Sequence, residues 1–182
     1  MLQSLDQLPA DPILGLSAAA RADDNANKVD LTVGIYMNDE GVCPVFKAVQ
    51  LAQKALEEAE ITKAYLPPAG DEQFNRGIQR LVLGADSGAL AAGRVSSIQT
   101  PGGCGALRIG AEIIYAAAPD ARVWISDPTW PVHIPLVGSV GLSFETYRYY
   151  DPVSHGVNFD GMVADLQNAR AGDVVLLHGC CH

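Results

Sequence analysis

The chain has 182 residues, 48% of them hydrophobic and 18% charged, a globular balance with enough apolar mass for one sizeable core. That composition excludes a disordered chain, a collagen-like repeat and a disulfide-stapled miniature fold, and no apolar run approaches the length a membrane span needs. Lysine plus arginine number 12 against 21 for aspartate plus glutamate, and the resulting charge of −9 repels phosphate backbones, so nucleic acid is not expected as a partner.

The first residues, Met1-Leu2-Gln3-Ser4-Leu5-Asp6, carry neither a basic stretch nor an apolar one, and no secretory signal is expected. Residues 1–30 are mixed and loop-like. Residues 28–36 alternate polar and apolar and predict a strand broken by Gly34, and Asn38-Asp39-Glu40-Gly41 predicts a turn. Residues 44–60 predict a helix with Pro44 near its start and Val45, Val49, Ala52 and Leu56 as a core-facing stripe. Tyr65-Leu66-Pro67-Pro68-Ala69-Gly70 must be a loop, and Asp71 caps a predicted helix reaching Leu83.

From Val95 onward the pattern is regular. It predicts a strand over 95–100, a glycine-rich turn over 101–105, a helix over 106–117, a strand over 122–126 and a helix over 130–140 broken early by Pro131 and Pro135. A strand over 142–149, a helix over 159–169 capped by Asn158, and a strand over 173–178 follow. Strands alternating with helices at these lengths make βαβ units and a mostly parallel sheet flanked by helices, an α/β fold.

Three stretches carry candidate chemistry. The strand–turn–helix around Pro101-Gly102-Gly103-Cys104-Gly105 can present unpaired amides and the positive end of a helix dipole to an anion, or can use its glycines only to turn the chain. It is not the dinucleotide fingerprint, since Arg108 stands where the third glycine belongs, and it lacks the Gly-Lys-Ser/Thr of a Walker loop. An anion site of neither kind suits a smaller phosphorylated cofactor. Ser126-Asp127-Pro128-Thr129-Trp130 follows the next strand and therefore shares the carboxyl edge of the sheet, where open α/β folds bind ligands. Trp130 there either stacks on a planar ring or anchors the loop on the core, and His133, one helical turn on, suits a hydrogen-bonding role. His178-Gly179-Cys180-Cys181-His182 suggests a metal at first sight. Adjacent residues of an extended strand point to opposite faces, so no metal site is expected there. Without Cys-x-x-Cys spacing, Cys43, Cys104, Cys180 and Cys181 read as free thiols of a cytoplasmic protein.

The strings Asp11-Pro12-Ile13, Val33-Gly34-Ile35-Tyr36, Tyr65-Leu66-Pro67, Thr100-Pro101-Gly102-Gly103-Cys104-Gly105-Ala106-Leu107, Ser126-Asp127-Pro128-Thr129-Trp130 and His178-Gly179-Cys180-Cys181-His182 occur in this order along the whole chain. In them the sequence resembles the N-terminal part of the class I, fold type I pyridoxal-phosphate aminotransferases, in the aspartate and aromatic amino acid branch. The resemblance implies a homodimer that moves an amino group between aspartate or an aromatic amino acid and a 2-oxo acid such as 2-oxoglutarate. It implies that Gly102, Gly103 and Cys104 cradle the pyridoxal 5'-phosphate phosphate, that Trp130 stacks on the pyridine ring and touches substrate, and that His133 supports that ring from behind. It further implies that Gly34 contacts substrate through its backbone, that Tyr65 reaches the phosphate of the neighbouring subunit, and that residues 2–13 form an arm on the partner. Residues 1–43 would be the arm and small-domain segment, and residues 44–182 the first part of the large cofactor domain.

Two departures from the family pattern stand out. Position 104 is cysteine where the family usually has threonine or serine, and a thiol is the weaker donor. The family's Asn-Pro-Thr-Gly motif, its Schiff-base lysine and its substrate-carboxylate arginine have no counterpart here, and the chain stops at His178-Gly179-Cys180-Cys181-His182, straight after the apolar Val174-Val175-Leu176-Leu177. Lys28, Lys47, Lys54 and Lys63 all precede the glycine turn and none has the family's Ser-x-x-Lys setting. The expectation is a portion of a longer enzyme with no catalytic residue of its own, inactive alone. The alternative is a non-catalytic module that holds a small phosphorylated ligand at the turn from Gly102 to Gly105.

Overall fold

The computed structural model describes residues 12–32 and 34–179. Most of the expected N-terminal arm, Val33, and the sequence Cys180-Cys181-His182 lie outside the described residues. The chain divides into two compact units, the first ending at Lys63 and the second beginning at Ala64.

The first unit holds two helices, α1 (Pro12–Ala22) and α2 (Lys47–Ala59). α2 starts later than the sequence predicts because Phe46, two residues after Pro44, is still extended, with ψ 143°. Its expected core-facing stripe is not buried: Val45, Val49 and Leu56 are exposed. The strand predicted over 28–36 does not form among the described residues, which run there as irregular chain. An alternating pattern specifies a strand only where a neighbouring strand supplies hydrogen-bond partners.

The second unit contains the α/β layer. Its helices are α3 (Glu72–Leu83), α4 (Gly88–Ala91), α5 (Gly102–Ala117), α6 (His133–Gly138) and α7 (Phe159–Leu166). β1 (Arg122–Asp127) lies at the centre of a three-stranded parallel sheet between β2 (Ser143–Arg148) and β5 (Val174–Val175). An antiparallel hairpin of β3 (Tyr150–Asp151) and β4 (Gly156–Val157), absent from the sequence reading, leads into α7.

β1 is central because Val123, Trp124, Ile125 and Ser126 are all buried, the continuous pattern of a strand covered on both faces. The core joins Val123 and Ile125 to Ala111 of α5, Val137 of α6 and Leu142. Asp71 caps α3 as predicted, its Oδ1 accepting from the Phe74 amide at 2.7 Å. Asn158 does the same for α7, accepting from the Gly161 amide at 2.9 Å.

Several predicted bounds shift for local reasons. α5 begins at Gly102, so the glycine turn is its first turn rather than a separate loop. α6 starts only at His133 because residues 130–132 form a turn closed by the His133 amide on the Trp130 carbonyl at 2.9 Å. α7 stops at Leu166, three residues early, as Asn168 and Ala169 donate instead to the carbonyls of Asp165 and Leu166. The strand predicted over 173–178 shortens to β5, although the Leu176 amide still reaches the Trp124 carbonyl at 2.9 Å. No strand forms over 95–100, where the segment is tied to the chain before α3 rather than to the sheet.

Candidate active site at the carboxyl edge of the sheet

α5 returns into β1 through residues 118–121, which sets its N-terminus toward the carboxyl edge of β1. That N-terminus has Pro101 as its N-cap residue and no side-chain cap. Gly102 takes φ +71°, a left-handed conformation that costs a residue with a Cβ, and a Cβ built there or on Gly103 would meet nothing within 4 Å. The backbone is therefore approachable from outside at the place where first-turn amides and the helix dipole favour an anion. Thr100 shapes the entry: its carbonyl accepts from the Gly102 amide at 2.8 Å, and its hydroxyl donates to the Gly102 carbonyl at 3.0 Å. Cys104 is a free, exposed thiol in this turn.

The loop after β1 forms the second half of the site. Trp130 is 38% exposed and His133 is 8% exposed. The two rings meet edge to face with centroids 5.3 Å apart, so the imidazole stands against the indole and helps set its plane. His133 in turn meets His178 edge to face at 4.8 Å. Thr129 joins the pair, its hydroxyl lying 2.9 Å from His133 Nδ1 and 3.2 Å from His178 Nε2. A hydroxyl has one proton to give, so at least one of those two nitrogens must itself be an N–H donor. The protonation patterns of the two imidazoles are thus tied through one side chain.

Thr129 and His178 were not singled out as partners of His133 in the sequence. A partial signal was available: His178 ends the strand predicted over 173–178, whose β5 part pairs in parallel with β1, so it emerges at the same edge as residues 126–130. Asp127 and Pro128 between them are joined by a cis peptide bond.

The remaining expected site residues are placed individually. Tyr65 is fully exposed in the loop that opens the second unit. Gly34 belongs to the first unit, in irregular exposed chain. All four lysines are also in the first unit, and the second unit, from Ala64 onward, contains none. No group of three or more metal-binding side chains gathers among the described residues.

The opening of α5 and the Trp130–His133 pair together suit a flat aromatic ligand that carries a phosphate. Residues 26–182 match the family model described as aminotransferase class I and II. Over all 182 residues the chain is 44% identical to an aspartate aminotransferase of Pseudomonas aeruginosa, of which it covers 46%. It is 43% identical over its whole length to an aromatic-amino-acid aminotransferase of Paracoccus denitrificans, covering 45% of that protein. Among solved structures, the Burkholderia pseudomallei aromatic-amino-acid aminotransferase covalently bound to pyridoxal phosphate superposes with a TM-score of 0.93 at 44% identity, covering 100% of this chain and 46% of that one. The chain belongs to the class I and II aminotransferase family and has the fold of its N-terminal portion. It spans about half the length of the curated relatives it matches.

Proposed function

We propose that the chain forms the cofactor-phosphate and ring-stacking part of a pyridoxal-phosphate aminotransferase acting on aspartate or an aromatic amino acid. The observation that carries this is the pairing, toward one sheet edge, of an uncapped glycine-opened helix with an indole braced by a buried imidazole. Family membership favours it over a non-catalytic module for a small phosphorylated ligand.

In this reading the first-turn amides of α5 at Gly103 and Cys104 hold the phosphate, where the helix dipole lowers the energy of its negative charge. Trp130 lies on the ring and limits its tilt, while His133, fixed by Thr129, keeps the indole from turning. Bound pyridoxal phosphate supplies an aldehyde that takes up an amino group and a ring that spreads the negative charge left when the substrate's α-proton departs. The donor amino acid leaves as a 2-oxo acid and the acceptor 2-oxo acid leaves as an amino acid, so the oxidation of one α-carbon balances the reduction of the other and no external oxidant is needed. Because none of Lys28, Lys47, Lys54 and Lys63 has the family's Ser-x-x-Lys setting, we assign the amine this chemistry requires to residues outside these 182.

Gly34 as a backbone substrate contact, Tyr65 reaching a neighbouring subunit's phosphate, a homodimer, a cytoplasmic location, and a division into residues 1–43 and 44–182 belong to the same proposal. The full-length protein, stripped of cofactor and titrated with pyridoxal phosphate, should bind it saturably. Trp130→Ala should weaken that binding about tenfold (~1.4 kcal/mol), with a melting temperature close to the parent's. Equal affinity in the two proteins would remove Trp130 from the ring site.

A further inference from the structure

The segment that enters the turn before α5 is tied to the loop before α3, with Gln99 at the centre of the contact. Gln99 immediately precedes Thr100 and Pro101, and its backbone amide donates to the Ala69 carbonyl at 2.9 Å. Its Oε1 accepts from the Asp71 amide at 2.7 Å. Between those two bonds lies Gly70, at φ +85°, where a Cβ would sit 2.3 Å from Gln99 Cβ. Gln99 thus grips both sides of a glycine that has room for no side chain. Asn75 Nδ2 adds a bond to the same Ala69 carbonyl at 2.8 Å, and Gln79 Nε2 donates to Ser97 Oγ at 3.0 Å, so α3 backs the grip. Leu66, Pro67, Pro68 and Gly70 line an open surface groove with Gln99, Thr100 and Pro101, so loop and turn meet beside one another.

We infer that Gln99 is a positioning residue for the cofactor phosphate: by clamping residues 69–71 it fixes how the chain enters the Thr100–Gly102 turn, and so where the first amides of α5 point. The inference rests on the reading that this turn takes the phosphate. Because the clamp acts on the phosphate end alone, its loss costs affinity for the phosphorylated cofactor and spares the ring contacts. Pyridoxal, which has the ring and aldehyde but no phosphate, separates the two.

The test uses cofactor-free full-length protein, Gln99→Met and Gly70→Ala, titrated with pyridoxal phosphate and with pyridoxal, together with hydrogen exchange at the Asp71 amide. Gln99→Met keeps the length of the side chain and removes the acceptor; Gly70→Ala forces Gln99 away from the other side. Both variants should bind pyridoxal phosphate about tenfold more weakly than the parent, leave pyridoxal affinity within twofold, and lose protection at Asp71. If Gln99→Met does not fold, the shorter Gln99→Asn replaces it with the same expectation. A parental preference for the phosphorylated form in the folded variants, with Asp71 unprotected, overturns the role of Gln99. A parent that binds pyridoxal as tightly as its phosphate overturns instead the phosphate reading of the turn.

Discussion

Cys104 stands in the first turn of α5, exposed, at a position where the family resemblance leads one to expect a hydroxyl. A hydroxyl donating to a charged acceptor contributes roughly 1.5–3 kcal/mol, and a thiol recovers only part of that. Cys104→Thr is therefore expected to tighten pyridoxal phosphate binding about tenfold in the full-length protein, read by equilibrium titration. Unchanged or weaker binding would mean that the side chain at 104 does not face the phosphate and that the backbone amides act alone. The residues around Trp130 show the complementary point. The place of Trp130 in a loop after a strand was legible, with ring stacking and core anchoring both open, and His133 was legible as a hydrogen bonder from its spacing. The hydroxyl of Thr129 joining two imidazoles was not, because it depends on His178, 49 residues further on, arriving on a neighbouring strand.

At the scale of elements, β1 is where the sheet is secured. At its start the carboxylate of Asp173, which directly precedes β5, accepts from Arg122 Nε at 3.0 Å and Nη2 at 2.5 Å, from Trp124 Nε1 at 3.1 Å, and from the Arg170 amide at 2.9 Å. These bonds, with Arg122 foremost, hold the Asp173 carboxyl well below the usual carboxylate range. At the far end of β2, Arg148 pairs with Asp165 of α7, and its side-chain and backbone donors push that carboxyl down to about 2. A carboxyl lowered on folding stabilises the native state fully above its unfolded value of 3.8, and that contribution fades as the pH falls toward 2. Asp165→Asn should thus be less stable than the parent at pH 6, and the gap should close as unfolding curves are taken down to about pH 2. A gap of constant size over that interval would show that the Arg148 pair does not carry the effect.

The same elements show what the sequence could and could not specify. The run Val123-Trp124-Ile125 marks a strand covered on both faces, and that is how β1 is built. Asp71 and Asn158 were readable as caps because capping is a local matter of a side-chain oxygen two or three residues from an amide. Residues 28–36 and 95–100 have strand-like patterns without strand partners among the described residues, and pairing is a non-local property that alternation does not encode. The grip of Gln99 on Gly70, across 28 residues from Gln99 to Asp71, was invisible for the same reason.

For the molecule as a whole, the apolar side chains left exposed are informative. Phe74, Ile78, Leu81 and Val82 of α3 and Val49 and Leu56 of α2 form apolar stripes that the described residues leave open to solvent. Such stripes ordinarily pack against further protein. The chain covers less than half of the length of the relatives it matches, and the unit that holds the glycine-opened α5 and the Trp130–His133 pair contains no lysine. In the proposed function these residues bind and orient the cofactor, and the amine chemistry falls to residues outside them. The direct test follows the nitrogen. Full-length protein supplied with pyridoxal phosphate, 2-oxoglutarate and ¹⁵N-labelled aspartate or phenylalanine should transfer the label to glutamate and release the matching 2-oxo acid in equal amount, with the rate falling to background when the cofactor is removed. Cofactor that binds tightly while no label reaches glutamate from either donor would contradict the account.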